Sequence, residues 1–510
     1  MPFRSILRDS ADAEAPRAGP QSDVVCDLHL DQIVAGLTEG RQEYRLDEYF
    51  YAPLATEQAI RYRHDVFADL ENRPVCQQVE SFAAAMRAQR ERIAKSQDVH
   101  HPLQKQRWFL DAVDLYCEAV VRFAGELAAG DLGSSGLKGL CDYLAAYVQS
   151  EAFASLRGEA RQLETDLANV RYGLYIDGSR IEVRPAGGEP EYGEEIARTF
   201  EKFARDTKRD YRFRLRADSE VNHVEAAILE RVALLFPQLF GQLAQFVERY
   251  PDPFDPVLVR FDREVQFYVA CLEYAARLKA TGLEFCYPQI ASRSKAVFGE
   301  AVFDLALAGR LAADNKAVVP NDFHLEAAER ILVVSGANQG GKTTFARAFG
   351  QAHYLASLGC PVPGRRAQLY LFDAIFTHFE REEAVETLSG KLEDELVRMR
   401  CILDAATPRS ILIMNESFGS TTLDDALYLG ERVLRQVIAR DMLGVCVTFL
   451  DELASLDRAT VSMVSRVNPL DPAQRTFKIV RAPADGLAHA LAIAKKYRLS
   501  YEQIRERMAR

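Results

Sequence analysis

Three things are missing or scarce in this chain, and each closes off a class of protein. No apolar stretch is long enough to span a bilayer, and the polar N-terminus after Met-Pro-Phe-Arg-Ser-Ile has no signal-peptide core, so a soluble cytoplasmic protein with no membrane partner is expected. The nine cysteines are dispersed, odd in number and without a C-x-x-C pair; this suits reduced thiols and offers no zinc pattern. Positive charge is outnumbered, for a net charge of −11, which argues against an indiscriminate coat for nucleic acid but leaves room for a local basic surface. What remains is ordinary globular composition, 48% hydrophobic and 27% charged, over 510 residues, more than one hydrophobic core usually supports.

The texture changes along the chain. Residues 1–45 have weak periodicity and read as a flexible arm. From 46 to 300 the pattern is mainly helical: Ile60, Phe67 and Leu70 recur at helical spacing, as do Ile228, Val232 and Leu235. The stretches 77–128 and 224–248 contain no proline except Pro102 and Pro237. From 301 to 510 short apolar strands alternate with helices, the mark of an α/β layer, with strands expected at 331–334, 369–372, 411–414, 443–449 and 476–480. The chain is therefore read as multidomain, a helical half followed by an α/β half.

One island interrupts the helices near 170–220. Leu174-Tyr-Ile176 and Ile181-Glu-Val183 flank Asp177-Gly178 as a hairpin. Farther on, Tyr211, Phe213 and Leu215 alternate with Arg212, Arg214 and Arg216. Between 198 and 216 there are eight basic residues, Lys208 and Arg209 among them, against three acidic ones, a net of +5. Such a stripe either tracks a nucleic-acid backbone or is the solvated outer face of a small sheet.

The chemistry concentrates in the α/β half. Gly336-Ala-Asn-Gln-Gly-Gly-Lys-Thr343 matches G-x-x-x-x-G-K-[ST], between an apolar strand at Ile331–Val334 and a helix from Thr343 to Leu358 stopped by Gly359. Strand, glycine loop and helix bring backbone N–H groups and the positive end of a helix onto one anion. The candidate nucleotide contacts are Gly336, Asn338, Gly340, Gly341, Lys342, Thr343 and Thr344, of which the pattern itself fixes Gly336, Gly341, Lys342 and Thr343, with Lys342 on the terminal phosphates and Thr343 on Mg²⁺. Downstream, Ser410-Ile-Leu-Ile-Met-Asn415-Glu416 is an apolar strand ending in a polar pair. Glu416 is the candidate to orient an attacking water, and Asn415 to reach the Mg²⁺ through water, without the charge of the usual Asp.

These residues resemble the MutS family of mismatch-repair ATPases, whose loop reads close to G-P-N-M-G-G-K-S-T. Ser389-Gly390-Lys391 is similar to the family's S-G-R/K-S element, and Glu416 with Thr421, Thr422 and Asp425 to its D-E-x-x-x-x-T-S-x-x-D. Thr448 with Glu452-Leu453 resembles T-H-x-x-E-L, and Pro483-Ala-Asp-Gly486 with His489 resembles P-A-D-G-x-x-H. The resemblance implies a helical lever domain with a β clamp insertion, followed by an ABC-type P-loop ATPase domain ending in a helix-turn-helix. It implies ATP and Mg²⁺ as cofactors, duplex DNA at Lys208, Arg209, Arg212, Arg214 and Arg216, and a homodimer with composite ATP sites. Ser389 would then cap a helix facing the nucleotide of the other subunit, in trans, and Asn321 is the candidate for adenine-side contacts. Two positions depart from the family: Asn415 replaces the magnesium acid, and Phe449 stands where the switch histidine is usual. The mismatch-reading and connector domains have no counterpart in the roughly fifty residues before the helical region. The expectation is an ATP-dependent DNA clamp in mismatch repair or recombination-related DNA transactions, hydrolysing ATP slowly. A nucleotide-binding switch with little hydrolysis is the alternative, and an ABC-type ATPase with a non-DNA task is a third.

Overall fold

The computed structural model describes residues 3–9, 19–178, 180–187, 221–314, 316–326, 328–381, 390–468 and 475–484. Long helices dominate the first half: Glu57–Glu71, Arg73–Asp98, Pro102–Ala128, Ser135–Val148, Glu151–Ala168, His223–Leu235, Pro237–Arg249 and Pro256–Lys279. The two prolines inside the expected helical stretches divide them, because Pro102 and Pro237 each sit in the first turn of a new helix, where the missing N–H is not needed. Between these helices stands the expected hairpin, β1 (Tyr172–Asp177) and β2 (Arg180–Pro185), with Ile176 opposite Ile181 and Gly178 in the left-handed region at φ 58°. Among the described residues no helix is long and apolar enough to cross a membrane.

The arm expected to be flexible is, in its described parts, part of the core. Ile6, Leu7, Val24 and Leu28 are buried, and Leu30, Ile33, Val34 and Leu37 form the buried face of the helix Leu30–Leu37. Polar contacts fasten it at both ends. Glu264 accepts from Ser5 Oγ (2.9 Å) and Ile6 N (3.0 Å), and the buried Arg63 donates to Leu7 O (3.1 Å). Arg347 and Gln351 donate to Asp27 O (2.8 Å) and Leu28 O (2.9 Å). The arm's apolar residues come in two short groups, too few for a convincing period, and their burial depends on long-range contacts that a local reading does not reveal.

Among its described residues the second half holds three sheets. A two-stranded one pairs β3 (Phe285–Cys286) with β8 (Val362–Pro363); a four-stranded one runs β4 (Gln289–Ala291), β9 (Arg366–Tyr370), β5 (Val297–Val302), β6 (Asn321–Leu325). The expected boundary at 300/301 thus falls inside β5, and residues 285–302 belong with the α/β half because their backbone pairs with β6, β8 and β9. The third sheet contains β7 (Ile331–Gly336), β10 (Ile375–Phe379), β11 (Ile411–Asn415), β12 (Leu443–Val447), β13 (Thr460–Val467) and β14 (Arg475–Arg481). Its order is β10-β11-β12-β7-β13-β14, parallel throughout except for β14.

Both faces of that sheet are covered, which explains the unbroken apolar runs. Leu332 and Val334 of β7 join one core cluster with Ile411 and Ile413 of β11, together with the helix Lys342–Ser357. Their neighbours Ile331, Val333, Leu412 and Met414 enter the other cluster, under the helices Lys391–Ala405 and Leu423–Ala439. Alternate residues of one strand feed opposite cores, as the two-residue period of a strand requires.

Candidate functional site

The parallel sheet presents the carboxyl end of β7 between β12 and β13, the place where open α/β sheets receive ligands. The chain turns there through Gly336 (φ 111°), Gln339 (φ 59°) and Gly341 (φ 89°) into the helix Lys342–Ser357. Gly340 is required for space: a Cβ there would stand 2.2 Å from Ser465 Oγ and 2.8 Å from Ala337 O. Ser465 belongs to β13, beside Gly336 in the sheet, and its hydroxyl donates to Gly340 O (2.9 Å), fixing the loop from outside the motif.

Lys342 is 4% exposed and folds back over the loop, donating to Gly336 O (3.0 Å) and Asn338 Oδ1 (3.2 Å). The carboxylate of Glu416 lies 3.9 Å from the same ammonium. Burial holds the Lys342 ammonium below the usual lysine range, the Glu416 charge opposes that shift, and Arg475 adds to it. Thr343 Oγ donates to Asn415 Oδ1 at 2.8 Å, so the end of β11 and the first turn of the helix place two oxygen atoms side by side. Such hard oxygen donors fit Mg²⁺, with Asn415 supplying a neutral oxygen. Glu416 itself has φ 51°, an unusual backbone for a residue with a side chain, held in part by Glu416 N donating to Val447 O (2.9 Å).

Lys342, Thr343, Thr344, Gly341, Gln339 and Glu416 line a cavity of about 470 Å³, within the range of ligand pockets. Most of the remaining lining is apolar: Leu307, Leu311, Val318, Val319 and Phe477, the last lying beside Gly341 of the loop. Phe477, on β14, has φ 56° and leaves 48% of its surface open, an arrangement able to stack on a flat ring. Asn321 also lines the cavity, but its amide is engaged: it donates to Phe477 O (3.1 Å) and accepts from Ile479 N (2.8 Å). It fastens β14 and so holds Phe477 at the wall. Sequence reasoning does not find Phe477, Val318 or Leu307; the one available signal is that Val318 and Val319 closely precede Asn321.

The structure therefore brings Asn321, Gly336, Asn338, Gly340, Gly341, Lys342, Thr343, Thr344, Asn415 and Glu416 together around one cavity and its loop. Phe449, after β12, is 49% exposed and does not line the cavity. Ser389 lies outside the described residues, as do Lys208, Arg209, Arg212, Arg214, Arg216 and the expected C-terminal helix-turn-helix.

Similarity to known proteins runs along both halves of the chain. The family model for MutS domain V matches residues 332–494, and that for the MutS2 N-terminal domain matches residues 55–281. Among similar proteins is an Endonuclease MutS2 of Gemmatimonas aurantiaca, 30% identical over 192 residues, 37% of this chain and 23% of that protein. An Endonuclease MutS2 of Thermus thermophilus is 28% identical over 189 residues, 37% of this chain and 25% of that protein. A DNA mismatch repair protein MutS of Caldicellulosiruptor bescii is 30% identical over 132 residues, 26% of this chain and 15% of that protein. The matched segments thus span about a quarter or less of those relatives' lengths. With a MutS-type model on the helical half and another on the α/β half, the chain belongs to the MutS family.

Proposed function

We propose that this protein is an ATP-dependent DNA-binding ATPase of the MutS family, acting in mismatch repair or recombination-related DNA transactions. The observation that carries the reading is the meeting, at one cavity, of Lys342, the bonded pair Thr343–Asn415 (2.8 Å) and Glu416, 3.9 Å from the Lys342 ammonium. Loop amides and Lys342 hold the phosphates, Thr343 and Asn415 the Mg²⁺ shell, and Phe477 with the apolar wall receives the base. Mg²⁺, when bound, supplies positive charge against the phosphate oxygens. Glu416 orients a water for attack, and turnover is slow because Asn415 lacks a carboxylate's charge.

The helical half serves as the lever and the island near 170–220 as the clamp on duplex DNA, with Lys208, Arg209, Arg212, Arg214 and Arg216 as its phosphate contacts. Support comes from the net of +5 over 198–216 in an acidic chain and from relatives named for DNA mismatch repair. A homodimer with composite sites, Ser389 of each subunit facing the other's nucleotide, completes the reading. These roles concern only the part of those relatives that this chain matches.

A second reading, a nucleotide-binding switch with little hydrolysis, is favoured by Phe449, half exposed and away from the cavity wall. ATP binding and turnover, with and without duplex DNA, decide between the two. The ATPase reading expects slow turnover that duplex DNA changes; binding without turnover selects the switch; no ATP binding overturns both. For the clamp, neutralising Arg212, Arg214 and Arg216 together should reduce the log–log salt slope of duplex binding by about 0.9 for each phosphate that the protein no longer neutralises. An unchanged slope makes the stripe a solvated face.

A further inference from the structure

Behind Glu416 lies a buried polar cluster that the proposed ATP chemistry does not use. Glu416 (φ 51°) and Phe418 (φ 65°) both have left-handed backbones, which residues other than glycine keep only when neighbours hold them there. Ser417, between them, is tied to His378 on the adjacent strand β10: its Oγ lies 2.7 Å from His378 Nδ1 and 3.1 Å from His378 O. The other ring nitrogen, Nε2, stands 3.0 Å from Glu395 O in the helix Lys391–Ala405. A carbonyl only accepts, so Nε2 carries the proton. Burial pulls the ring's pKa down to about 4, so at neutral pH Nδ1 has a free lone pair, and Ser417 shares its one hydroxyl proton between Nδ1 and His378 O. The helix is joined to the same loop a second time. Ser420 Oγ donates to Glu395 Oε2 (3.2 Å), while the buried Oε1 of that carboxyl has no hydrogen-bond partner among the described residues. The ring of Phe418, its centroid 5.7 Å from that of His378, closes the apolar side.

We propose that His378 and Ser417 are a positioning pair: they hold the strained loop that aims Glu416 at the cavity and link that aim to the helix Lys391–Ala405. The inference rests on the reading of Glu416 as the residue that orients the attacking water. Neither side chain lines the cavity, so the pair acts through Glu416 and not on the nucleotide. Its removal should therefore lower the rate of hydrolysis without weakening the binding of ATP, because a small misplacement of a reacting group costs rate while ground-state contacts persist.

The test uses the full chain and five variants, Ser417→Ala, Ser417→Thr, His378→Gln, the double variant Ser417→Ala with His378→Gln, and Glu416→Ala, with kcat, KM, ATP affinity and thermal midpoint measured for each. Ser417→Ala should lose on the order of ten-fold in kcat, with KM, affinity and midpoint close to the parent's. Ser417→Thr, which keeps the hydroxyl, should retain most of the rate, and combining Ser417→Ala with His378→Gln should add little to either alone. If His378→Gln does not fold, the two Ser417 variants decide the matter, since Ser417 is only partly buried. Parental kcat in Ser417→Ala, while Glu416→Ala is slow, overturns the positioning pair. A loss of rate matched by equal losses of affinity and midpoint also overturns it, leaving a purely structural contact. Parental kcat in Glu416→Ala instead overturns the reading of Glu416 itself.

Discussion

The phosphate loop and the apolar lining of the cavity are built in opposite ways. The loop is local: Gly336 to Thr344 are consecutive, and their spacing alone sets a loop at a helix N-terminus. The apolar lining is assembled from the helix Leu305–Ala313, the segment before β6, and β14, whose Phe477 meets Asn321 across 156 residues of sequence. A contiguous motif carries its geometry with it; an assembled wall depends on the register of the whole sheet. Loss of Lys342 from the loop should thus abolish binding at once, and losses from the apolar lining should weaken it by degrees.

Removing Lys342 is the strongest test of that contrast. Lys342→Ala should abolish measurable ATP binding in calorimetry while the fold survives. The ammonium also spans Gly336 O and Asn338 Oδ1, so a modest drop in thermal midpoint accompanies the loss. Retained affinity in a folded variant would remove Lys342 from the phosphate site. A smaller effect is expected from the apolar lining. Phe477→Ala should weaken ATP by about 1–3 kcal/mol, the usual worth of stacking a base on an aromatic ring, and should leave inorganic triphosphate binding unchanged. Equal weakening of both ligands would mean that Phe477 supports the loop and not the base.

The same contrast explains what can be read from the sequence. The strands Ile331–Gly336 and Ile411–Asn415 are legible because burial on both faces leaves an unbroken apolar run. β10 and β13 are not, since Thr377 and His378 in one and Ser462, Ser465 and Arg466 in the other interrupt the run. The polar residues there are accommodated by particular partners, such as Ser417 for His378 and Gly340 for Ser465, which no local pattern encodes. The N-terminal arm reads as flexible for a related reason: its described parts are held by Glu264, Arg63, Arg347 and Gln351, all distant in sequence. Asn321 lines the cavity, yet its amide holds β14, a partner that the sequence around it does not reveal.

Buried histidines provide a global and more gradual test of how firmly the assembled parts depend on packing. His64, His353 and His378 are each depressed by burial from 6.5 to about 4. The unfolded chain then binds protons that the folded chain refuses, so stability is present above about 6.5 and is lost as pH falls toward 4. Thermal midpoints should decline across that window, and His353→Gln, whatever its midpoint at neutral pH, should flatten the decline. An undiminished slope in His353→Gln would mean that this ring is not held neutral by the fold.

If this cavity binds ATP and Glu416 acts on the water and not on the nucleotide, binding and cleavage separate in one variant. Single-turnover ATP hydrolysis set beside equilibrium ATP binding, in the parent and in Glu416→Ala, measures both. Cleavage should be slow but measurable in the parent, and in the variant slower by on the order of a hundred-fold with affinity nearly unchanged. Equal cleavage rates in the two proteins would remove Glu416 from the attack on ATP.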